Sequence, residues 1–380
     1  MIKNSSLRDR STLLVLFLVP LSSMAVLIGN FSLFDAVLIA FILVFGIKYK
    51  GDYTSSAAYF LAVYAVCFFS IVIIVEYGIY EDAVQSLGQL LYILLFLPFV
   101  IQSMFTSYKL ENFLRGVLLV SLFLSLALLI SPLVDNPFIK FDLVSRYQPR
   151  TSGTTAIYII AFSYMSFLYS KRKLNIWYFS GFLLFSLAAV YLTGQRSMLL
   201  GLLLILMVVA LRRGVILGCI LLAVTVIVSV FLAVEFSLSS RLTDNLFSDS
   251  YRITIIMELF ESISAEPLKV ITGWGVGLWT SREFNQEPHN NFLHLITDYG
   301  IFVAMFYSLI VYRFAFSFFK FRGNQNGSRI FYVMVTLGAM PYYMTHTYSL
   351  ERGNIFLFMV VSFYFLKEYK SSVWSSRFNR

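Results

Sequence analysis

Apolar runs of about 17 to 21 residues recur from one end of this chain to the other, and that recurrence leaves few folds open to it. A helix of that length satisfies its own backbone and matches the hydrocarbon thickness of a bilayer. Hydrophobic residues make up 59% of the chain and charged residues 13%, so a soluble fold would lack the polar residues to cover itself. The expected class is all-α, a polytopic integral membrane protein with about twelve transmembrane helices. The spans run from Leu13 to Gly29, Leu33 to Ile47, Ala57 to Val75, Leu90 to Phe105, Val117 to Val134 and Thr154 to Ser170. They continue from Ile176 to Leu192, Ser197 to Leu211, Val215 to Val234, Asn291 to Tyr312, Ile330 to Thr347 and Ile355 to Leu366. The second and last are short for a full crossing. The first has Lys3, Arg8 and Arg10 before it and a weak small-x-small site at Ser23-Met24-Ala25, and reads as an uncleaved anchor. Residues 1–234 thus hold spans one to nine, 235–290 an outer loop, 291–366 spans ten to twelve, and 367–380 a tail.

Lysine and arginine set the orientation. With the N-terminus cytoplasmic, the loops on that side hold Lys48, Lys50, Lys109, Arg115, Lys171, Arg172, Lys173, Arg212 and Arg213. Arg313, Lys320, Arg322 and Arg329 follow, then Lys367, Lys370, Arg377 and Arg380 in the tail. With the three N-terminal residues these are twenty of the 29 basic residues, offset only by Asp9, Asp52, Glu111 and Glu368. Both termini are therefore expected in the cytoplasm. The net charge of +9 is a topology signal and gives no reason to expect nucleic acid. Cys67 and Cys219 each lie alone in an apolar run, which fits neither a metal site nor a disulfide framework.

Topology does not ask for the basic residues left on the outer face. Arg196 lies in Thr193-Gly194-Gln195-Arg196-Ser197, a few residues between two apolar runs, and must sit near the headgroups or point into the bundle. Snorkelling to the interface is its ordinary role; a guanidinium fork for phosphate is its functional one. Arg150 has a similar setting in Pro149-Arg150-Thr151-Ser152-Gly153.

The longest extramembrane stretch, Glu235 to Pro288, holds an amphipathic segment from Tyr251 to Ala265. Ile253, Ile256, Met257, Phe260 and Ile263 recur at helical spacing, with Arg252, Glu258, Glu261 and Ser264 elsewhere, and Asp249 or Ser250 suits its N-cap. This predicts a helix lying flat on the membrane surface. After Pro267 comes Gly273-Trp274-Gly275-Val276-Gly277, whose glycines allow a tight loop. No strand precedes it, so it is not a nucleotide loop. The whole reads as a lid over an opening, bringing Arg252 towards His289.

His289 follows Pro288, where the loop meets a helix that Asn290 or Asn291 is suited to cap. An imidazole there can accept a proton near neutral pH, or simply cap or snorkel. Together these stretches resemble the O-antigen ligase and polymerase family, bacterial membrane glycosyltransferases that use sugars carried on undecaprenyl diphosphate. The matching residues are Arg150-Thr151-Ser152-Gly153, Thr193 to Gly201, Tyr251-Arg252, Glu266-Pro267-Leu268, Gly273 to Gly277, and His289-Asn290-Asn291-Phe292-Leu293 through Tyr299-Gly300. They cover roughly Arg150 to Tyr312. Lys269-Val270-Ile271-Thr272 stands where the family usually runs straight into the glycines, and Gln195 is a second departure.

The resemblance implies a GT-C-like fold in the bacterial inner membrane, with the active site on the periplasmic face. It implies no metal and no cofactor. The partners it implies are membrane lipid, an undecaprenyl-diphosphate-linked oligosaccharide and a chain-length regulator. Glycosyl transfer to a hydroxyl needs a proton acceptor and positive charge beside the departing diphosphate. His289 suits the first task, and Arg196, Arg252 and Arg150 the second, with inversion by direct displacement. Asn290, Trp274, His294 and Arg352 are further candidate substrate contacts. His294 suits a hydrogen bond inside the bundle equally well, and Arg352 a salt bridge with nearby Glu351. Asp298, placed inside a span, calls for an arginine or tyrosine partner or a proton. The chemistry is that of a polymerase, extending a lipid-linked repeat unit, or of a ligase, transferring the chain to lipid A-core. A lipid-linked sugar flippase or other transporter is the alternative of another class, and would show inverted repeats and mid-membrane charges.

Overall fold

A computed structural model describes residues 26–28, 31–32, 110–130, 155–193, 196–213, 250–283, 285–288, 290–311, 326–345 and 354–365, with isolated positions 39, 88, 90, 92–93, 223 and 368. It is helical, as the apolar runs require, apart from one small hairpin. Strands β1 (Val26–Ile28) and β2 (Phe31–Ser32) pair antiparallel, with Ile28 opposite Phe31. This corrects the end of the first expected span. The intervening Gly29 and Asn30 are residue types that two-residue hairpin connections favour, and β-branched Val26 and Ile28 suit strands.

The helices are α1 (Leu110–Ile130), α2 (Thr155–Ser170), α3 (Ile176–Thr193), α4 (Arg196–Arg213), α5 (Ser250–Ala265), α6 (Lys269–Thr272), α7 (Asn291–Tyr299), α8 (Ile301–Val311), α9 (Asn326–Thr345) and α10 (residues 354–365). The apolar runs beginning at Thr154, Ile176, Ser197 and Ile355 reappear as α2, α3, α4 and α10 within one or two residues at either end. α1 begins seven residues before its apolar run, where Glu111 and Arg115 pair one turn apart at 2.7 Å. The expected spans Leu33 to Ile47, Ala57 to Val75, Leu90 to Phe105 and Val215 to Val234 lie outside the described residues, single positions aside. Among the described residues no helix is long and apolar enough to cross a membrane. α4 carries Arg196, Arg212 and Arg213, and the expected span from Asn291 to Tyr312 is two helices of 9 and 11 residues.

Helix α2 is the centre. It is buried nearly all round, from Thr155 to Tyr169, and packs on α1, α3, α4 and α9. A helix apolar on every side suits either lipid or a protein interior, and the burial of its residues puts α2 in the interior. At its end Arg172 turns the chain with φ 58°, and Tyr169 stacks flat on Phe179 of α3, ring centres 4.5 Å apart. α4 and α9 approach through glycine: a Cβ on Gly201 would strike the Gly338 carbonyl, and one on Gly338 would lie 2.7 Å from Ile205. Small residues at such a contact let two backbones come close, as in helix packing within lipid. A buried polar link adds specificity. Asn354 at the start of α10 accepts the Ala156 N–H of α2 at 3.0 Å and donates to Tyr342 of α9 at 2.9 Å.

Candidate functional site

The site is assembled by α5, α6, the glycine loop and α7. α7 starts where Asn290, with φ −146° and ψ 121°, turns its side-chain oxygen onto the Phe292 and Leu293 N–H groups at 3.0 and 3.1 Å. Both bonds satisfy donors that a helix start leaves free. The Asn290 carboxamide oxygen is thus occupied as a cap. The helix ends at Gly300, whose φ of 83° breaks it from α8. A Cβ on Gly300 would run into the Ile271 carbonyl of α6. The segment Lys269-Val270-Ile271-Thr272, a departure from the family pattern, is therefore a single helical turn seated on the α7–α8 break.

Beyond α6 the chain runs along α7. Gly273, Gly275 and Gly277 all have positive φ, at 80°, 99° and 67°. At Gly273 the crowding is direct, since a Cβ would lie 2.8 Å from the Asp298 carbonyl and the Tyr299 nitrogen. Trp274 N–H donates to the Thr297 carbonyl at 2.6 Å, and Gly277 N–H to Asp298 Oδ1 at 3.2 Å. The glycine loop is stitched to consecutive residues of α7.

Helix α5 covers this assembly. Ile255 and Leu259 are buried with Trp279, and Ile263, Trp274 and Leu293 pack around them. Trp279 Nε1 donates to Ser262 at 3.2 Å. Glu258 accepts from the Ser281 hydroxyl at 2.6 Å and from the Arg282 N–H at 2.8 Å. Of the stripe read as the surface-lying face, Ile253, Met257 and Phe260 are 65, 60 and 54% exposed, and Ile263 packs on that small core. The helix has two apolar faces, and the one holding Ile255 and Leu259 meets the loop because Trp279 and Trp274 need cover.

Three titratable groups meet on the flank of α7. His294 Nδ1 lies 3.2 Å from Glu287 Oε2, outside hydrogen-bond geometry, and its Nε2 lies 3.5 Å from Asp298 Oδ2. The side chains are 13, 39 and 5% exposed for His294, Glu287 and Asp298. Asp298 was expected to have an arginine or tyrosine partner or a proton; the structure places beside it a histidine one turn away and a loop N–H. No sequence spacing marks Glu287 or Glu258, whose contacts join segments brought together only by the fold. Among the described residues no group of three or more His, Cys, Asp or Glu is placed to hold a metal ion.

The remaining candidates are placed unevenly. His289, Arg150 and Arg352 lie outside the described residues, although Pro288 and Asn290 on either side of His289 are described. Arg196 opens α4 and is helical, where a turn residue was expected, and Arg252 is in the first turn of α5. Trp274 is half-buried between α5 and α7, and His294 faces two carboxylates. α5, packed on Leu293, is thereby held to the capped end of α7.

The family model described as O-antigen ligase matches residues 181–308, from within α3 through most of α8. No curated protein matches the chain, and no solved structure does. The matched stretch contains α4, α5, the glycine loop and the capped start of α7; of the stretches that carry the resemblance in the sequence, Arg150-Thr151-Ser152-Gly153 lies outside it. Over this stretch, a minority of its length, the chain is similar to the O-antigen ligase family, whose members are membrane proteins that act on lipid-linked oligosaccharides.

Proposed function

We propose that the chain is a surface-polysaccharide polymerase of the bacterial inner membrane. It transfers a growing glycan from undecaprenyl diphosphate to a hydroxyl of the next lipid-linked repeat unit, at the periplasmic face. The observation that carries the reading is the α5–glycine loop–α7 assembly inside the matched stretch, with a capped helix start immediately after His289. A helix N-terminus favours negative charge nearby, which suits a diphosphate leaving beside it.

In this mechanism His289 accepts the proton of the acceptor hydroxyl as its oxygen attacks the anomeric carbon. The bond to the diphosphate oxygen breaks on the opposite face, so configuration inverts. Arg196, Arg252 and Arg150 take the departing diphosphate in charge-assisted bonds, strengthened where the lid keeps out water. Trp274 and Arg352 contact the glycan, and no metal takes part. The exposed Ile253, Met257 and Phe260 face of α5 suits the bilayer surface from which the lipid-linked substrates come. Transport of lipid-linked sugars, the other class, gives no role to a glycine loop stitched to α7.

Ligation to lipid A-core uses the same chemistry, and the description of the matching family favours it. Complementation separates the two. Wild type and His289→Ala are expressed, with the native sugar locus, in one strain lacking its polymerase and one lacking its ligase. Restored glycan ladders in the first strain only, lost with His289→Ala at normal protein level, are expected. Rescue of the second strain alone makes the chain a ligase, and activity surviving His289→Ala removes the proton-acceptor role.

A further inference from the structure

Asp298 is buried, and both its carboxylate oxygens face groups that the site needs held. Oδ1 accepts the Gly277 N–H, and the carbonyl of the residue before it accepts the Trp274 N–H, so both ends of the glycine loop depend on this turn of α7. Oδ2 faces His294, whose other nitrogen faces Glu287, two residues before His289. Asn290, just after His289, caps the same helix. Glu287 and Asn290 are therefore both tied to α7, one by the His294 contact and the other as its cap.

A carboxylate this buried is costly unless something compensates it, and a hydrophobic side chain would fill the same space at lower cost. Nothing in the packing of α7 itself calls for a charge.

Resting on the transfer chemistry proposed above, we infer that Asp298 is a positioning residue, acting through His294 and Glu287 on the His289 segment and through Gly277 on the glycine loop. It touches neither substrate nor reacting atoms. Its removal misplaces those that do.

The test uses purified full-length protein in nanodiscs with an undecaprenyl-diphosphate-linked repeat unit. Asp298→Asn keeps an acceptor for Gly277 but loses the charge facing His294; Asp298→Ala loses both. Because small misplacements of reacting groups are costly, turnover is expected to fall about tenfold in the first and about a hundredfold in the second, with KM for the lipid-linked donor changed less than about threefold. Glu287→Gln and His294→Ala are expected to match Asp298→Asn. Peptide-level hydrogen exchange supplies a readout that does not depend on activity. In Asp298→Ala, exchange should rise in residues 273–281 and 286–290 and stay unchanged in 155–170 and 196–213. Wild-type turnover in both Asp298 variants, or exchange rising equally through 155–170 and 196–213, overturns the inference. If wild-type protein transfers no glycan, the transfer reading fails, and the exchange pattern alone decides whether Asp298 holds the two segments.

Discussion

At the scale of single residues, two positions on α7 carry opposite kinds of information. The cap was legible as one of two neighbours: Asn290 or Asn291 at the edge of an apolar run suits a cap, and the structure selects Asn290, whose side chain accepts two backbone N–H groups. Asn290→Ala should cost about 1 kcal/mol of stability, and Asn290→Ser should recover most of it, measured by denaturation of the solubilised protein. Gly300 was not legible as a break. Apolar residues run through Leu295, Ile296, Ile301 and Val303, and periodicity alone reads across a glycine. Only the tertiary contact with the Ile271 carbonyl, and a φ of 83°, make a side chain intolerable there. Gly300→Ala is therefore expected to leave little folded protein, whereas Gly181→Ala, where an added Cβ meets nothing within 4 Å, should be tolerated, as quantitative blots of membrane fractions would report.

At the scale of elements, α5 shows how far a hydrophobic pattern reaches. The helix from Ser250 to Ala265 follows from its sequence almost to the residue, because helical spacing of apolar side chains survives whichever face is buried. Which face packs does not follow, since Ile253-Met257-Phe260 and Ile255-Leu259 are both apolar lines. The choice depends on Trp279, twenty residues after Leu259. Burial turns this into a contrast between neighbours. Ile255→Ala removes a fully buried side chain and should destabilise the lid by about 2 to 4 kcal/mol. Ile253→Ala alters a side chain 65% exposed and should change it by less than about 0.5 kcal/mol. Protease susceptibility of the loop in the two variants separates them, and equal effects would mean that α5 is seated by its other face.

At the scale of the whole molecule, the helices were readable because continuous apolar runs suffice to mark them, but orientation rests on charge alone. Twenty of 29 basic residues fall on alternate loops with four acidic residues among them, a bias that only a bilayer gives meaning to. Lys171, Arg172 and Lys173 follow α2, and Arg212 and Arg213 close α4, the helix packed beside it. The loop holding α5 and the glycines falls to the opposite side of the alternation, together with Arg196 at the start of α4. A phosphatase reporter that folds only in the periplasm should thus be active when fused after Leu268, and a fluorescent protein that folds only in the cytoplasm should glow when fused after Arg380. Moving three lysines into the loop before α5 should lower the first signal, because added positive charge opposes translocation of the segment that receives it. Phosphatase activity at both Leu268 and Arg380 would leave an even number of crossings between them, where three spans are expected, and would overturn the cytoplasmic placement of the tail.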